Sequence, residues 1–321
     1  GTGGTITSNV TDVNIGNSAY GFVVQNENGA AVTLTTNTPN VTLGEDAVYA
    51  YSNNKAGSIT NGTTLTSTGD GNYGIYGAGT VTNNGQMNFG TGIGNVGIYS
   101  ILGGTATNNS TITVGASDAA NEKYAIAMAA GYKSSDSGNI INSPTGVINV
   151  TGKDSIGMYA TGPSSTAINK QTINLSGEKS VGMYLDNGAY GINNGTIRSN
   201  GTGLRRVVGM VVKNGSTIEN NGIIQIDATD AVGLLAKGNS AGKNVGIIKN
   251  YGTLNITGSG SENSVVPAEG QDLAKDMGGV KIHAPAGSQT ATISVNGVPV
   301  IPELASTTAK EFKPMEISTI G

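Results

Sequence analysis

Few residues in this sequence have types and spacings that could do chemistry, and none of them completes a catalytic motif. Residues 238–242 read GNSAG, which matches the G-x-S-x-G pattern of a nucleophile elbow. That pattern needs a strand-to-helix turn and a histidine partner, whereas the chain has a single histidine, His283, and no helical pattern surrounds Ser240. Because the chain has one histidine and no cysteine, we expect no metal site, and nothing in the sequence indicates a cofactor.

Paired carboxylates offer the other route to chemistry. Polysaccharide hydrolases and lyases bring two or three carboxylates together within roughly 5 to 10 Å of one another. Asp227 and Asp230 lie close in sequence, but the matching segments on either side, NNGTIRS and NYGTLNI, hold no acidic residue. Tryptophan, which a sugar-binding groove would be expected to contain, is absent. We therefore expect that the chain is not an enzyme.

The composition narrows the class of partner. Of the 321 residues, 51 are glycine and only 12% are charged, with a formal net charge of −4. Since no run of Lys or Arg could follow a phosphate backbone, nucleic acid is not an expected partner. No uninterrupted apolar run approaches the ~18 residues of a membrane-spanning helix, so we expect no direct membrane insertion by this segment.

One short motif recurs along the chain at a nearly constant interval. Residues 154–162 read DSIGMYATG, and residues 179–188 read KSVGMYLDNG. The glycine of this motif, or the residue in its place in two degenerate copies, occurs at positions 21, 49, 74, 97, 125, 157, 182, 209 and 233, at intervals of 23 to 32 residues. Such a period without helical patterning is typical of a solenoid.

The residues between the copies alternate between apolar and polar side chains. Segments such as TNNSTITV from Thr107 and NNGIIQI from Asn220 combine a turn of the Asn-Gly type with a short strand. A third short strand precedes the turn. The sequence therefore predicts an all-β fold, a parallel β-helix (β-solenoid) of about ten coils of 23–32 residues, with three short strands per coil and loop excursions.

The alternation also predicts which side chains face the interior. One apolar column comprises Ile112, Ile148, Ile173, Ile197, Ile224 and Leu254, and a second comprises Ile156, Val181, Val208 and Val232. Counting from Ile156 places Met158 inward and Tyr159 outward, where stacked tyrosines would shield the sheet. The asparagine before each turn is expected to form amide hydrogen bonds with its copies in the coils above and below.

Three segments lengthen the repeat, and we expect them to be extruded as loops: residues 116–123, 129–138 and 258–276. The predicted organisation is therefore coils over 1–257, a loop excursion with room for a short helix over 258–276, and continuing coils with a truncated end over 277–321. A specific site needs a break in the repeat, so the candidate binding residues are polar side chains of these loops: Asp118, Asn121, Glu122, Lys123, Lys133, Asp136, Glu269, Asp272 and Lys275.

The repeated motifs resemble those of a known family. DSIGMY, KSVGMY, NNGTI, NYGTLNITGSG and the terminal ISTIG are similar to elements in the passenger regions of the large fusobacterial type V autotransporter adhesins. The resemblance covers most of the chain. It implies an extracellular rod on the cell surface, anchored to the outer membrane in the full-length protein, that attaches bacteria to host cells or to other bacteria.

Three functions remain open. The first is an adhesin, a monomeric rod that binds a host-cell surface receptor or glycan, or the surface proteins of other bacteria, through its loops. The second is an inert spacer stalk that holds a distal binding tip. The third is a polysaccharide lyase or hydrolase on a β-helix, and we rank the three functions in this order.

Overall fold

The computed structural model describes residues 3–132, 135–237, 246–265 and 282–283. Within these ranges the chain is a parallel β-solenoid with three sheets, and its one helical element is a single 3-10 turn at Ala119–Asn121. Every strand pairs in parallel with the equivalent strand of the next coil. The predicted fold class, with three short strands per coil, is confirmed.

The three sheets have eleven, ten and ten strands. Sheet A contains β1 (Gly4–Ser8), β4 (Val32–Thr36), β7 (Ser58–Asn61), β10 (Thr80–Asn83), β13 (Gly104–Asn108), β16 (Gly138–Asn142), β19 (Thr166–Asn169), β22 (Tyr190–Asn193), β25 (Thr217–Asn220), β28 (Ile247–Asn250) and β31 (Ile282–His283). Sheet B contains β2 (Asp12–Ile15), β5 (Asn40–Leu43), β8 (Thr64–Ser67), β11 (Met87–Ile93), β14 (Thr111–Ala116), β17 (Val147–Val150), β20 (Thr172–Leu175), β23 (Thr196–Ser199), β26 (Ile223–Asp227) and β29 (Thr253–Thr257). Sheet C contains β3 (Tyr20–Val24), β6 (Val48–Ser52), β9 (Tyr73–Gly77), β12 (Val96–Ser100), β15 (Ile126–Ala130), β18 (Ile156–Thr161), β21 (Val181–Asp186), β24 (Val208–Lys213), β27 (Val232–Lys237) and β30 (Glu262–Val265).

Equivalent side chains of successive coils lie directly above one another in the interior. In sheet B the register joins Ile112 to Ile148 and Ile148 to Ile173, and it continues to Leu254. These residues are buried in the main core, so the first predicted apolar column is confirmed. Burying each such aliphatic side chain is worth about 1.5–3 kcal/mol, which makes the column a principal source of stability.

The predicted asparagine ladder forms at the corner between sheets A and B. The side-chain amide nitrogen of each asparagine donates to the amide oxygen of the next over 2.8–3.0 Å, in the order Asn61, Asn83, Asn108, Asn142, Asn169, Asn193, Asn220 and Asn250. All eight side chains are fully buried. The amide nitrogens of the first six, from Asn61 to Asn193, also donate to backbone carbonyls of their own turns, as Asn169 does to Gln171 at 3.0 Å. Each of these six asparagines thus closes one turn and joins it to the next coil.

From β9 to β24, sheet C is buried on both faces, which differs from the predicted arrangement. Met158 lies in the main core as predicted, and Tyr159 lies on the opposite face, but only 1% of Tyr159 is exposed. The second predicted column does not face the interior. It lies beside Tyr159 in a separate apolar cluster on the outer face of sheet C, which we call the outer cluster, and its members are Ile156, Val181, Val208 and Val232.

The glycine of the repeated motif explains this difference. The ladder pairs Ile156 with Val181 and Met158 with Met183, and it skips Gly157 between them. A Cβ on Gly157 would lie 2.7 Å from a carbonyl oxygen of the next coil, so only glycine fits there. The extra residue shifts the alternation. Ile156 and Met158 therefore point to opposite faces, although residues two positions apart in a regular strand point to the same face.

The end of the described chain continues the coil further than predicted. Residues 258–265 include β30, which pairs with β27 in sheet C, so the first part of the predicted excursion is a regular strand. β31 pairs with β28 in sheet A. The rest of the predicted excursion and of the segment 277–321 lies outside the described residues.

We expect the asparagine ladder to contribute strongly to stability. Replacement of Asn169 by alanine leaves the buried amide groups of Asn142 and Asn193 each without one partner, at about 1–3 kcal/mol per group. Asn169→Ala should therefore lower the midpoint of urea unfolding clearly. The matched control is Asn194→Ala, at the exposed position beside the ladder, which should change stability by no more than about 0.5 kcal/mol. Equal midpoints for the two variants would contradict a structural role for the ladder.

The burial of Tyr159 gives a second prediction. Tyr159→Ser removes a ring whose centroid lies 5.8 Å from that of Tyr184, and it should destabilise the rod by about 3 kcal/mol, as truncation of a buried aromatic residue does. Ile223→Ser on the outer face of sheet B, where Ile223 is 44% exposed, should cost much less. Thermal unfolding of both variants tests this prediction. A smaller loss of stability in Tyr159→Ser than in Ile223→Ser would mean that the Tyr159 ring is exposed to solvent.

Candidate interaction surface

The first predicted loop, 116–123, is closed by its own hydrogen bonds. The backbone groups of Asp118 and Lys123 bond in both directions, at 2.8 and 2.9 Å. The side-chain amide of Asn121 donates to the Asp118 carboxylate at 2.6 Å, and this bond lowers the pKa of Asp118. Glu122 adopts the left-handed conformation that ends the 3-10 turn. Asp118 therefore caps the loop, and its charge remains at the surface.

The second predicted loop, 129–138, is joined to the preceding coil. One carboxylate oxygen of Asp136 accepts the backbone N–H of Leu102 at 3.1 Å, and the other accepts that of Tyr132 at 2.9 Å. Asp136 thus holds two chain segments together, which is sufficient reason for a carboxylate at this position. Lys133 lies outside the described residues.

The two loops flank one strand, β15, at its two ends. Ala119 of the first loop and Tyr132 of the second pack against the outer cluster. The structure therefore brings these two groups of candidate residues to the same coil, on the side of sheet C. The remaining candidates, Glu269, Asp272 and Lys275, lie outside the described residues.

Sequence analysis missed a charged group on the outer face of sheet A. The Tyr190 hydroxyl donates to the Glu219 carboxylate, whose other oxygen accepts the side-chain amide of Asn221 at 2.9 Å. The Lys249 ammonium lies 5.8 Å from the centre of the Tyr190 ring. The register explains this grouping, because it stacks Ile192, Glu219 and Lys249 on successive coils.

The electrostatics of this group follow from its contacts. Burial raises the pKa of Tyr190 to about 12, with a further contribution from its hydrogen bond to Glu219. The same hydrogen bond lowers the pKa of Glu219, and Lys249 acts in the same direction. Glu219 is therefore a carboxylate at neutral pH, held in a fixed position on the surface.

The outer face of sheet B carries a shallow polar groove on the same coils, with a volume of about 350 Å³. Arg198, Gln225 and Asn255 stack in register along it. The Arg198 guanidinium donates to the amide oxygen of Asn174 at 2.7 Å, which fixes its orientation. At the groove wall, Asp227 accepts the Thr257 hydroxyl at 2.9 Å. The groove therefore presents donors and acceptors in a rigid arrangement.

The groove and the charged group meet at one edge of the rod, because each strand of sheet A leads through the asparagine turn into a strand of sheet B. We call this edge on β22–β23, β25–β26 and β28–β29 the A/B corner. Asn221 bonds to Asn194 across successive turns at 3.0 Å, and Tyr251 is 46% exposed on the third turn. Exposed amides, charges and an aromatic ring are the groups that recognise sugar hydroxyls and polar peptides.

A sequence signal for the A/B corner was available. The positions of Arg198, Glu219 and Lys249 hold Thr, Asn or Ile in most other coils, as in Thr82, Thr107, Thr113 and Asn174 along the same ladders. A charged residue at a position that is otherwise uncharged indicates a use beyond the repeat. This signal appears only once the strands are aligned in register.

The acidic residues considered for catalysis do not converge. Asp227 is the one carboxylate that lines the groove, while Asp230 lies 4.0 Å from Arg205 at a turn. Among the residues that the structure describes, no three of His, Cys, Asp and Glu are grouped to hold a metal ion. The groove thus offers a single carboxylate, bound to a neighbouring hydroxyl.

Comparison with known proteins gives one match. Residues 89–195, one third of the chain, match the family model described as BigA third pectate lyase-like domain, a domain of a bacterial surface protein. The match suggests a large bacterial surface protein, and pectate lyase-like describes a resemblance of fold. No curated protein and no solved structure matches the chain.

One further observation concerns membranes. In the described part of the chain no helix is long and apolar enough to cross a bilayer.

The Tyr190 to Glu219 hydrogen bond leads to a pH-dependent prediction. Tyr190→Phe removes the donor, so the pKa of Glu219 should rise toward the ordinary value for glutamate, as measured by NMR titration of its side-chain carboxyl carbon. The pKa of Glu219 is lower in the folded chain than in the unfolded chain. The hydrogen bond therefore stabilises the fold at pH values above the ordinary pKa of glutamate, and this stabilisation is lost as the pH falls through the lowered pKa. The variant should therefore be less stable than the parent at neutral pH and equally stable in acid. An unchanged Glu219 titration would show that the hydrogen bond is absent in solution.

Proposed function

We propose that this chain is a segment of a surface-exposed adhesin, an autotransporter passenger anchored to the outer membrane in the full-length protein. The observation that carries the proposal is the match of its central coils to a domain of a bacterial surface protein, in a chain that forms a rod. A solenoid suits display at a distance because each coil is stabilised by its neighbours, so length is added without a larger core. The partner is a host-cell surface receptor or glycan, or a surface protein of another bacterium, and the chain acts as a monomer.

Two surfaces are proposed to make the contact. One comprises the loop residues Asp118, Asn121, Glu122 and Lys123 with the neighbouring Lys133 and Asp136, together with Glu269, Asp272 and Lys275. The other is the A/B corner. The closed hydrogen bonding of the 116–123 loop and the fixed positions of Glu219 and Arg198 both support recognition, since rigid polar groups lose little entropy on binding.

The spacer function stays the second candidate. It is favoured by one specific observation, namely that Asp118 and Asp136 satisfy backbone and side-chain groups of their own coils. A stalk needs no more than this. An enzyme ranks third, because the one carboxylate of the groove has no acidic partner there.

A binding assay distinguishes the adhesin from the spacer. The isolated chain is tested for binding to host cells, to other bacteria and to a glycan array. We expect saturable binding. If the A/B corner makes the contact, the double variant Glu219→Gln, Lys249→Gln should lower the affinity about tenfold, or 1.4 kcal/mol. If the 116–123 loop makes it, the double variant Asp118→Ala, Lys123→Ala should have this effect instead. Asn149→Ser, on the outer face of sheet B three coils earlier than Gln225, is the matched control and should bind as the parent does. A well-folded parent chain that binds no cell and no glycan would favour the spacer.

A further inference from the structure

All three arginines of the chain lie within nine residues, in or directly after the groove on the outer face of sheet B. Arg198 is on β23 and lines the groove, while Arg205 and Arg206 are on the turn that leads to β24. The other cationic side chains are lysines. A guanidinium differs from an ammonium because its parallel N–H groups match the two oxygens of a carboxylate or sulfate. Two-point recognition of an anion is therefore concentrated on this coil.

Side-chain hydrogen bonds along the outer face of sheet B hold Arg198 in place. The amide nitrogen of Asn174 donates to the amide oxygen of Asn149 at 2.9 Å, which orients Asn174. The amide oxygen of Asn174 then accepts Nε of Arg198 at 2.7 Å. Among the described residues nothing else bonds to this guanidinium, so its two terminal nitrogens are available to a ligand. A guanidinium that is already oriented loses less entropy when it binds an anion.

Two columns of polar side chains line the groove. One column consists of Arg198, Gln225 and Asn255, which lie in register on β23, β26 and β29. The other contains Asp227 and Thr257, which are in register with each other. The exposed amides of Gln225 and Asn255 form no hydrogen bond with any described residue, so their donors and acceptors are open to a ligand. The groove thus offers a charged end followed by neutral hydrogen-bonding groups.

The charges of the groove limit what it accepts. Among the described residues that line it, Arg198 is the one cation and Asp227 the one carboxylate. A ligand with a regular series of negative charges would place one of them against Asp227, and like charges at short range repel each other. A ligand with one anionic group at Arg198 and hydroxyl donors at Asp227 satisfies both residues. The groove therefore favours a ligand that is acidic at one point and neutral elsewhere.

The lining also favours a saccharide over a peptide. All eight described lining residues are polar or glycine, so they offer no apolar pocket for a peptide side chain. β23 and β26 each pair with a strand on both sides, which leaves no free edge to which a peptide strand could be added. Sugar hydroxyls both donate and accept, as side-chain amides do. At the same corner Tyr251, which is 46% exposed, offers an aromatic surface of the kind on which a sugar ring packs.

We propose that this groove binds a glycan that is neutral except for one acidic sugar, and that Arg198 pairs with the carboxylate or sulfate of that sugar. Gln225, Asn255 and Asp227 bind hydroxyls of the neighbouring rings. Asn174 is a positioning residue, because it acts through its hydrogen bond to Arg198. The proposal rests on the adhesin function and names the ligand class of one of its two surfaces.

Binding of the full chain to three immobilised saccharides tests the ligand class. The probes are lactose, sialyllactose, which adds one sugar with a carboxylate, and lactose that carries a single sulfate. The affinity for at least one acidic probe should exceed that for lactose about tenfold, and the probe that binds identifies the anionic group. Equal affinity for all three probes, or binding to none of them, would overturn the proposal.

Variants of the arginines test the assigned contact. Arg198→Gln should lower the affinity for the acidic probe to that for lactose, because Arg198 is the one cation among the described lining residues. Arg205→Gln is the matched control, since it removes the same charge from the same coil outside the groove, and it should keep the preference. Asn174→Ser leaves the charge unchanged and should reduce the preference about threefold. Equal losses in the two arginine variants, at unchanged thermal unfolding, would show that net charge and not the groove selects the ligand.

A polymer of acidic sugars tests the role of Asp227. Polygalacturonate carries a carboxylate on every ring, so the parent chain should bind it more weakly than it binds the acidic probe, and Asp227→Asn should bind it about threefold more tightly than the parent does. Preference of the parent for polygalacturonate would contradict the proposal.

A cell-binding assay on the same samples separates this proposal from the adhesin function. Binding to host cells or bacteria without a preference for the acidic probes would overturn the ligand class and leave adhesion standing. A folded chain that binds neither cells nor any probe would contradict both.

Discussion

The structure depends on one constraint, that each side chain lies directly on its counterpart in the next coil. In a parallel solenoid the coil above and the coil below are the whole environment of a residue, so a side chain is suited to its position only if it also suits a copy of itself. Isoleucine meets this condition in the interior, as the Ile112 to Leu254 column shows. Asparagine meets it at the turn, because its amide donates on one side and accepts on the other. A residue that can only donate or only accept could not continue such a ladder.

This constraint explains why so much of the fold could be predicted from the sequence. A residue that must match its own copy repeats in the text, and the spacing of Asn169, Asn193 and Asn220 is the length of one coil. The inward column of sheet B followed from simple alternation. The prediction failed at Ile156, because one glycine inserts a residue without a side chain and shifts the alternation of the strand. Periodicity shows that Gly157 is constrained, but only backbone geometry shows that it changes which face its neighbours occupy.

The candidate site could be predicted less well, and for the same reason. Interruptions of the repeat are visible in the sequence, so the loops containing Asp118 and Asp136 were found. Their carboxylates proved to hold their own loops together, which no spacing reveals. Glu219 and Lys249 lie within regular strands and leave the period unchanged. Their proximity arises from residues about 30 positions apart in sequence that come together only through the register.

The two polar faces and the apolar face suggest a division of labour around the rod. The outward positions of sheets A and B hold mainly Thr, Asn and Ile with a few charges. The outward positions of sheet C from Tyr73 to Leu235 are mostly apolar, and they are buried. A face whose side chains are already buried is not free to meet a receptor. Contacts with another surface must then be made by the polar faces or by loops at their edges. The A/B corner joins the two sheets other than sheet C. A rod that lies with sheet C turned away therefore presents that corner to the opposite surface.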